Sequence, residues 1–370
     1  MKIILLTSSL GAGGAERVAS TLCNAWVDRG DQVTLIPTFS GGGAPFYGLD
    51  PRVELIYLAS VFDGNTRKAN SYLARLFALR NLISSRKPDV VISFLPNVNV
   101  ANILATAFSR IPRIVCERSD PISHPLPIVW RFACKLLYRF ADTVLVQTNA
   151  VSASIGNVYG GLKRVAVIGN PISNDLLRFS ADLTNPRNRH VLLCLGRLSK
   201  EKQVAQIIAA FARCATTAVD WDLHIYGDGP EREFLASLIE MHCLQGRIFL
   251  KGRTDNPWGV MAKADAFVMN SAYEGFPNSL VEAMAVGLPC ASSDCKSGPR
   301  EITDNGKNAL LFAVGDECGL RGAIFQLMTD ASLRVVLGDR ARRAIRERYS
   351  IDEVLVEWDS VFGNIVGALS

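Results

Sequence analysis

Two carboxylates, Glu274 and Glu282, are separated by seven residues in a segment that reads Glu-Gly-Phe-Pro-Asn-Ser-Leu-Val-Glu. A strand predicted at 265–271 precedes them, and Gly275 and Pro277 predict a turn that leads into a helix. In open α/β sheets, ligands bind in the crevice outside the carboxyl ends of the strands. Carboxylates in that crevice can bind sugar hydroxyls, while the N–H groups at a helix start face a phosphate. The segment therefore predicts a site that binds both sugar hydroxyls and a phosphate.

The two carboxylates differ in the structural explanation available to each. Ser279 and Glu282 match a capping box, in which the acidic residue bonds back to the helix start. Glu282 could therefore serve only to begin a helix. Glu274 lies outside that box, so it is the stronger functional candidate.

A glycine-rich loop, residues 11–17, reads Gly-Ala-Gly-Gly-Ala-Glu-Arg between a predicted strand and a predicted helix. Glycines allow the backbone to approach a ligand closely, and a helix start attracts negative charge. Glu16 stands where the dinucleotide fingerprint needs its third glycine, and a Walker A loop would need Gly-Lys-Ser/Thr. The loop predicts either an anion contact or a tight turn alone.

Two cations, Arg197 and Lys202, follow the first predicted strand of the second half. An arginine fork and a lysine charge form a suitable clamp for a diphosphate. Either residue alone could instead be an ordinary solvated loop charge.

A basic stripe recurs every four residues in the helix predicted at 128–140, through Arg131, Lys135 and Arg139. We expect Val129, Phe132, Ala133, Leu136, Leu137 and Phe140 to form a separate apolar face. A second basic stretch spans 67–87. Such helices suit an anionic bilayer or a lipid diphosphate, although a solvated face over a core helix gives the same pattern. Nucleic acid is not expected, because no binding motif appears and the isoelectric point is about 8.7, below the ~9 guideline.

Short apolar strands alternate with helices along both halves of the 370 residues. This alternation predicts an α/β fold of two doubly wound, Rossmann-like domains with a cleft between them. We place a membrane-side domain at 1–170, a second domain at 171–350, and a final segment, 351–370, that crosses back to the first domain.

Charge and cysteine usage narrow the partners and the compartment. Residues 1–170 hold 18 Lys and Arg against 10 Asp and Glu, so the first half favours an anionic partner. Nine scattered cysteines without a Cys-x-x-Cys pair are typical of reduced thiols in the cytosol. We interpret the apolar start of the chain as a strand, not a signal peptide.

Together these segments resemble the family 4 retaining glycosyltransferases of the GT-B fold, and among them the bacterial enzymes that build surface polysaccharides or lipid-linked oligosaccharides. The matches run in the family's order over nearly the whole chain: 11–17, Gly196-Arg197 with Lys202, 227–229 and 274–282. The resemblance implies transfer from a nucleoside-diphosphate sugar, with UDP favoured because it is frequent in the family, and with the configuration of the donor retained. It also implies that no metal and no cofactor are needed, that 1–170 is the acceptor domain, and that 171–350 is the donor domain.

The resemblance also implies roles for single residues. Glu274, Arg197 and Lys202 would be catalytic, with the two cations on the diphosphate and the carboxylate on the donor sugar. The implied donor contacts are Gly13, Gly14, Arg253, Gly275, Phe276, Asn278, Ser279, Leu280 and, on the ribose, Glu282. Many relatives carry a histidine where this chain has Arg118. Arginine cannot be a general base at neutral pH, so we expect Arg118 to bind a sugar hydroxyl or phosphate, with His124 as a substitute base.

We therefore expect transfer of a hexose or N-acetylhexosamine to a polyprenyl-diphosphate-linked or other glycan acceptor, in the cytoplasm at the inner face of the plasma membrane. Three alternatives stay open: a non-catalytic sugar- or nucleotide-binding protein, a nucleotide-sugar epimerase, and a hydride-transferring dinucleotide enzyme. The first leaves Arg197, Lys202 and Glu274 unexplained, and the second leaves the basic helices unexplained. The third lacks its glycine fingerprint.

Overall fold

The computed structural model describes residues 1–39, 42–62, 71–123, 126–183 and 188–366. The chain divides into two compact units. The first comprises Met1–Pro171 with Ile351–Ser370, and the second comprises Ile172–Ser350. None of the described helices combines the length and the apolar content needed to span a bilayer.

The first unit is built on a parallel sheet of strongly apolar strands. They are β1 Lys2–Thr7, β2 Gln32–Pro37, β3 Glu54–Leu55, β4 Val90–Phe94, β5 Arg113–Cys116, β6 Thr143–Val146 and β7 Val165–Val167. Their order is β3-β2-β1-β4-β5-β6-β7. Near-continuous apolar strands of this kind are buried on both faces by helices. The chain reverses its direction of winding between β1 and β4, which is the switch point where such sheets bind ligands.

The helices of the first unit follow its strands. They are α1 Gly14–Asp28, α2 Tyr72–Arg86, α3 Pro96–Ala105, α4 Ile128–Leu137 and α5 Asn149–Tyr159. The helix predicted at 128–140 ends at Leu137 and continues as the 3-10 helix Tyr138–Phe140, a common way for the last turn to tighten. Strand β3 has only two residues.

The second unit repeats the arrangement. Its strands are β8 His190–Leu195, β9 Trp221–Tyr226, β10 Ile248–Gly252, β11 Ala266–Met269, β12 Cys290–Ser293 and β13 Leu310–Phe312. The parallel order β10-β9-β8-β11-β12-β13 places a switch point between β8 and β11. Its helices are α6 Val204–Cys214, α7 Arg232–Met241, α8 Pro257–Ala262, α9 Asn278–Ala285, α10 Pro299–Ile302, α11 Glu317–Thr329 and α12 Ala331–Tyr349. The prediction of doubly wound sheets is confirmed for both units.

The last helix, α13 Ile351–Val366, belongs to the first unit. Trp358 and Phe362 pack against Trp26 of α1, with ring centroids 5.4 and 6.2 Å apart. Arg29 adds a 2.7 Å ion pair with Asp359. This aromatic cluster joins the two ends of the chain within one core.

Candidate functional site

An ion pair lies at the switch point of the second unit. Lys202 ends a 3-10 helix, Lys200–Lys202, that follows β8, and Glu274 stands in the loop that follows β11. Lys202 Nζ lies 2.5 Å from Glu274 Oε1, and the two side chains are 25% and 12% exposed. The sheet order thus brings together two catalytic candidates that are 72 residues apart in the sequence.

Three serines hold the Glu274 loop, and sequence reasoning missed all of them. Ser271 Oγ donates to Glu274 Oε1 at 2.6 Å, and Ser297 Oγ donates to the backbone carbonyl of Glu274. Ser293 Oγ donates to the carbonyl of Ser271 at 2.7 Å. Among the residues that the structure describes, no donor contacts Glu274 Oε2. One carboxylate oxygen is therefore fixed by the protein, and the other is left to accept from a ligand.

Arg197 lies in the loop after β8 and is exposed. Within the described part of the chain its guanidinium has no ion pair. Two glycines fix the backbone of this loop, because a Cβ on Gly227 would lie 1.8 Å from the carbonyl oxygen of Gly196, and one on Gly229 would lie 2.3 Å from that of Leu198. This closely packed loop places Arg197 at the same strand end as Lys202.

The start of α9 differs from the predicted capping box. Pro277 is the N-cap residue and makes no side-chain cap bond, so Ser279 already lies in the first turn. The capping-box interpretation is wrong because the fixed φ of Pro277 suits entry into the helix immediately after it. Glu282 is buried one turn further on, at 6% exposure.

Two of the three N–H groups expected to face a phosphate have partners within the chain. The Asn278 N–H donates to the Phe276 carbonyl at 2.9 Å, and the Leu280 N–H donates to the Pro277 carbonyl at 3.0 Å. For Ser279, the described residues supply no acceptor. The phosphate contact predicted here therefore narrows to the N–H of Ser279.

The turn residues before α9 have different surroundings. The Phe276 ring is buried in the core and contacts the Tyr349 ring edge-on, with centroids 5.5 Å apart. Gly275 keeps an accessible backbone. Any donor contact of Phe276 would have to use its backbone, since its side chain belongs to the core.

Arg253 follows β10 and is 81% exposed, with Nε 3.6 Å from Asp228 Oδ2. The Gly227 N–H donates to the Gly252 carbonyl at 2.8 Å, which ties the turns after β9 and β10 together. The loose pair leaves the Arg253 side chain free to contact a ligand at this edge.

The glycine loop of the first unit ends at the N-cap of α1, which is Gly13, and Gly14 is the first helical residue. A Cβ on Gly13 would lie 2.0 Å from Glu16 Oε2. Glu16 is fixed there by Ser9 Oγ, which donates to Oε1 at 2.8 Å. The carboxylate of Glu16 therefore folds back over the helix start, where negative charge is favourable.

Arg118 follows β5 at the same edge of the first sheet. Its Nη1 donates to Asn170 Oδ1 at 2.6 Å, and its guanidinium carbon lies 3.6 Å from the centre of the Phe94 ring. Burial lowers the pKa of Arg118 to about 10, so it stays charged at neutral pH. Its Nε and Nη2 are buried and make no hydrogen bond within the described residues. His124, the other candidate in this segment, lies outside the described residues.

Helix α4 exposes most of the apolar face predicted for it. Cys134 is its only buried residue, and the large apolar side chains Val129, Phe132, Leu136 and Phe140 are exposed, with Ile128 beside them. Arg131, Lys135 and Arg139 therefore share one outer surface with apolar groups. The inward contacts are made by Trp130, Ala133, Cys134, Leu137 and Tyr138.

A shallow groove of about 300 Å³ runs beside this outer surface. It is lined by Phe132, Lys135, Leu136, Arg139, Tyr159, Gly160 and Gly161. The neighbouring helix α2 adds exposed Leu73 and Phe77. Of its basic stretch, Arg67 and Lys68 lie outside the described residues, and Arg86 is paired with Glu54 at 2.7 Å.

Family models match both halves of the chain. The model described as "Glycosyltransferase Family 4" matches residues 12–176, and the one described as "Glycosyl transferases group 1" matches residues 178–344. The chain belongs to the family 4 glycosyltransferases. The predicted family is confirmed, and the two doubly wound units are those of its GT-B fold.

This family 4 glycosyltransferase is 28% identical, over the full length of both chains, to an alpha-1,4-N-acetyl-D-galactosaminyltransferase of Campylobacter jejuni. The name of that enzyme gives GalNAc-alpha-(1->4)-GalNAc-alpha-(1->3)-diNAcBac-PP-undecaprenol as its acceptor. Among solved structures, sucrose-phosphate synthase of Thermosynechococcus elongatus aligns over both whole chains with a TM-score of 0.84 at 18% identity. Alr3699/HepE of Anabaena, in complex with UDP and glucose, aligns over 98% of this chain and all of its own, with a TM-score of 0.78 at 19% identity.

Proposed function

We propose that this glycosyltransferase moves a hexose or N-acetylhexosamine from a UDP-linked donor to a lipid-linked glycan, with retention of configuration and without a metal ion, in the assembly of a bacterial surface glycan. The observation that carries the proposal is the Lys202–Glu274 pair at the β8/β11 switch point, with exposed Arg197 in the same loop as Lys202. The cations suit the diphosphate of a nucleotide sugar, and the carboxylate suits the hydroxyls of its sugar.

The two cations act on the diphosphate. When the bond between the anomeric carbon and the phosphate oxygen breaks, negative charge develops on the leaving oxygen. Arg197 and Lys202 stabilise that charge, which is the work a divalent metal does in other transferases. The N–H of Ser279 adds a donor at the start of α9.

Glu274 holds the sugar. Its Oε1 is fixed by Lys202 and Ser271, so Oε2 meets a donor hydroxyl in a set orientation. Glu282 holds the ribose, and Arg253 frames the base. The acceptor hydroxyl attacks the face from which the diphosphate leaves, and its proton passes to the departing phosphate oxygen. Retention follows from attack on that same face.

The acceptor side rests on the outer surface of α4. Exposed apolar side chains beside Arg131, Lys135 and Arg139 suit the interface of an anionic bilayer, where each basic residue contributes about 1 kcal/mol. The Campylobacter relative acts on an undecaprenol-linked acceptor, and Alr3699/HepE was solved with UDP. The first supports a lipid-linked acceptor, and the second supports a UDP donor.

A transfer assay tests the proposed function. Purified protein is incubated with UDP-hexoses or UDP-N-acetylhexosamines and a polyprenyl-diphosphate-linked glycan, with and without EDTA. We expect transfer from an α-linked donor to give an α-linked product, seen in the anomeric proton coupling, at the same rate with the chelator. A β-linked product would contradict retention, and loss of activity that Mg²⁺ restores would contradict metal independence.

The double substitution Arg131→Glu with Lys135→Glu tests the membrane contact. Reversing two charges on the outer surface of α4 should reduce binding to anionic liposomes at least ~10-fold, since each basic residue contributes about 1 kcal/mol near such a surface. Co-sedimentation with vesicles of anionic phospholipid measures the binding. Arg340→Glu with Arg343→Glu, a pair on the exposed face of α12, makes the same charge change elsewhere and should bind normally. Equal binding by both double variants would exclude α4 as the contact.

A further inference from the structure

A buried carboxylate that the proposed function does not use lies at the end of β5. Glu117 directly precedes Arg118, yet it is 1% exposed. Its Oε1 is buried and accepts no hydrogen bond from the described residues. A carboxylate that is not fully bonded is costly to bury, so a role beyond packing is expected of it.

The other oxygen of Glu117 connects two helices. Tyr138 Oη donates to Oε2 at 3.0 Å, and Tyr159 Oη donates to the same oxygen at 3.2 Å. The two tyrosine rings contact each other, with centroids 4.7 Å apart. Asn99 Nδ2 donates to Tyr138 Oη at 2.9 Å, which leaves the hydroxyl proton of Tyr138 for Glu117.

Tyr138 is the residue that immediately follows α4. That helix has one buried residue, Cys134, and its N-cap, Pro127, makes no side-chain cap bond. A helix with so few inward contacts depends on its anchors, because packing of an apolar face supplies most helical stability in proteins. Tyr138, which is fully buried, is therefore a main attachment of the basic surface helix to the sheet.

We propose that Glu117 is a positioning residue that holds α4, through Tyr138, at the strand end that carries Arg118. The inference rests on the proposed function, since it gives Glu117 the task of setting the acceptor-side surface. An ionised acceptor makes hydrogen bonds about twice as strong as a neutral one. The hydrogen bond that holds α4 is therefore stronger when Glu117 is charged and weaker when it is protonated.

The charge state of Glu117 changes near neutral pH. Burial raises its pKa to about 7, although the two tyrosine hydroxyls act in the opposite direction. The groups that face Glu117 change charge outside the range from pH 6 to 8. Burial raises the pKa of two thiols to about 12, raises the pKa of two tyrosine hydroxyls above its ordinary value, and lowers the pKa of one guanidinium to about 10. In that order, these groups are Cys116, Cys134, Tyr138, Tyr159 and Arg118. Glu117 is the member of this set that switches between pH 6 and 8.

Amide hydrogen exchange of α4 tests the tie without any substrate. Tyr138→Phe keeps the ring and removes the donor on the α4 side, and Asn99 keeps its bond to the Cys116 carbonyl. Tyr159→Phe removes the donor on the α5 side and is the matched control. We expect exchange in Ile128–Leu137 to be at least about tenfold faster in Tyr138→Phe and nearly unchanged in Tyr159→Phe, which is the effect of losing one hydrogen bond to a charged acceptor. Unchanged exchange in α4 of Tyr138→Phe would overturn the proposal.

Glu117→Gln tests whether charge matters, because its amide oxygen can accept from both tyrosines but never ionises. At pH 8 the KM for the lipid-linked acceptor should be about fivefold higher in Glu117→Gln than in the wild type, while at pH 6 the two should agree. The KM for the nucleotide sugar should be the same in both proteins at both pH values. An acceptor KM that changes with pH equally in both proteins would also overturn the proposal. Faster amide exchange of α4 in Tyr138→Phe would support the hydrogen bond between Tyr138 and Glu117 as the attachment of this helix. If the wild type transferred no sugar to a lipid-linked acceptor, that result would count against the proposed function and not against this attachment.

Discussion

Replacing Lys202 by alanine is expected to lower turnover by about 10²-fold or more, which corresponds to about 2.7 kcal/mol of lost transition-state stabilisation. The Lys202 ammonium lies at the β8/β11 switch point, where the leaving diphosphate gains its charge in the proposed mechanism. Glu274 would keep its bond from Ser271, so the carboxylate should stay in place. Initial rates at saturating donor and acceptor measure the effect.

Lys200→Ala is the control for this prediction. Lys200 lies in the same 3-10 helix and is exposed, so its loss removes an equal charge from the same loop. We expect Lys200→Ala to retain turnover within about twofold, as is usual for surface positions. Full turnover in Lys202→Ala would exclude Lys202 from the reaction.

Glu274→Gln is expected to lower turnover by a similar ~10²-fold while the protein stays folded. The amide oxygen of glutamine can still accept from Ser271 and Lys202, so the loop before α9 should hold its shape. What is lost is the negative charge that neutralises Lys202 and the carboxylate oxygen that faces the sugar. The thermal midpoint and the turnover are both measured, since only their comparison separates catalysis from folding.

Glu201→Gln makes the same charge change in the same loop and serves as the control. Glu201 is fixed by Ser199, which donates to its Oε1 at 2.5 Å, and it does not contact Glu274. We expect near-normal turnover from this variant. If Glu274→Gln unfolded and yet showed normal activity per folded molecule, its role would be structural.

Much of the fold follows from local patterns in the sequence. Strands such as β1 and β8 contain four or five consecutive apolar residues, and each leads through a loop with glycine into a helix, so the parallel order of both sheets is expected. The switch-point rule then places Lys202 and Glu274 at one sheet edge. This part of the site was predictable because it depends on order along the chain and not on side-chain contacts.

The contacts that hold the site were not predictable. Ser297 bonds to Glu274 across 23 positions through the loop after β12, and serine is too common in loops for this one to stand out. The capping box of Ser279 and Glu282 predicts an N-cap at Ser279, whereas the N-cap in the structure is Pro277, two residues earlier. The order of residues along the chain does not show which of the two local signals, the capping box or the proline, sets the start of the helix.

The sequence left open which face of α4 is exposed, for a different reason. Its apolar and basic residues fit two faces of a helix, and the usual rule sends the apolar face inward. In the structure Val129 and Phe132 point outward, and the polar cluster of Glu117 and Tyr138 anchors the helix instead. That arrangement depends on tertiary contacts between β5 and the end of α4, which no periodicity records.

The central claim is that the crevice at the β8/β11 switch point holds a nucleotide sugar between Lys202, Arg197 and Glu274. Calorimetric titration of the wild type, Lys202→Ala and Glu274→Gln with UDP and with a panel of UDP-sugars tests it most directly. We predict that Lys202→Ala weakens UDP and UDP-sugar alike, whereas Glu274→Gln leaves UDP unchanged and weakens only the sugar-bearing ligands. Equal affinity of all three proteins for every UDP-sugar would contradict the claim.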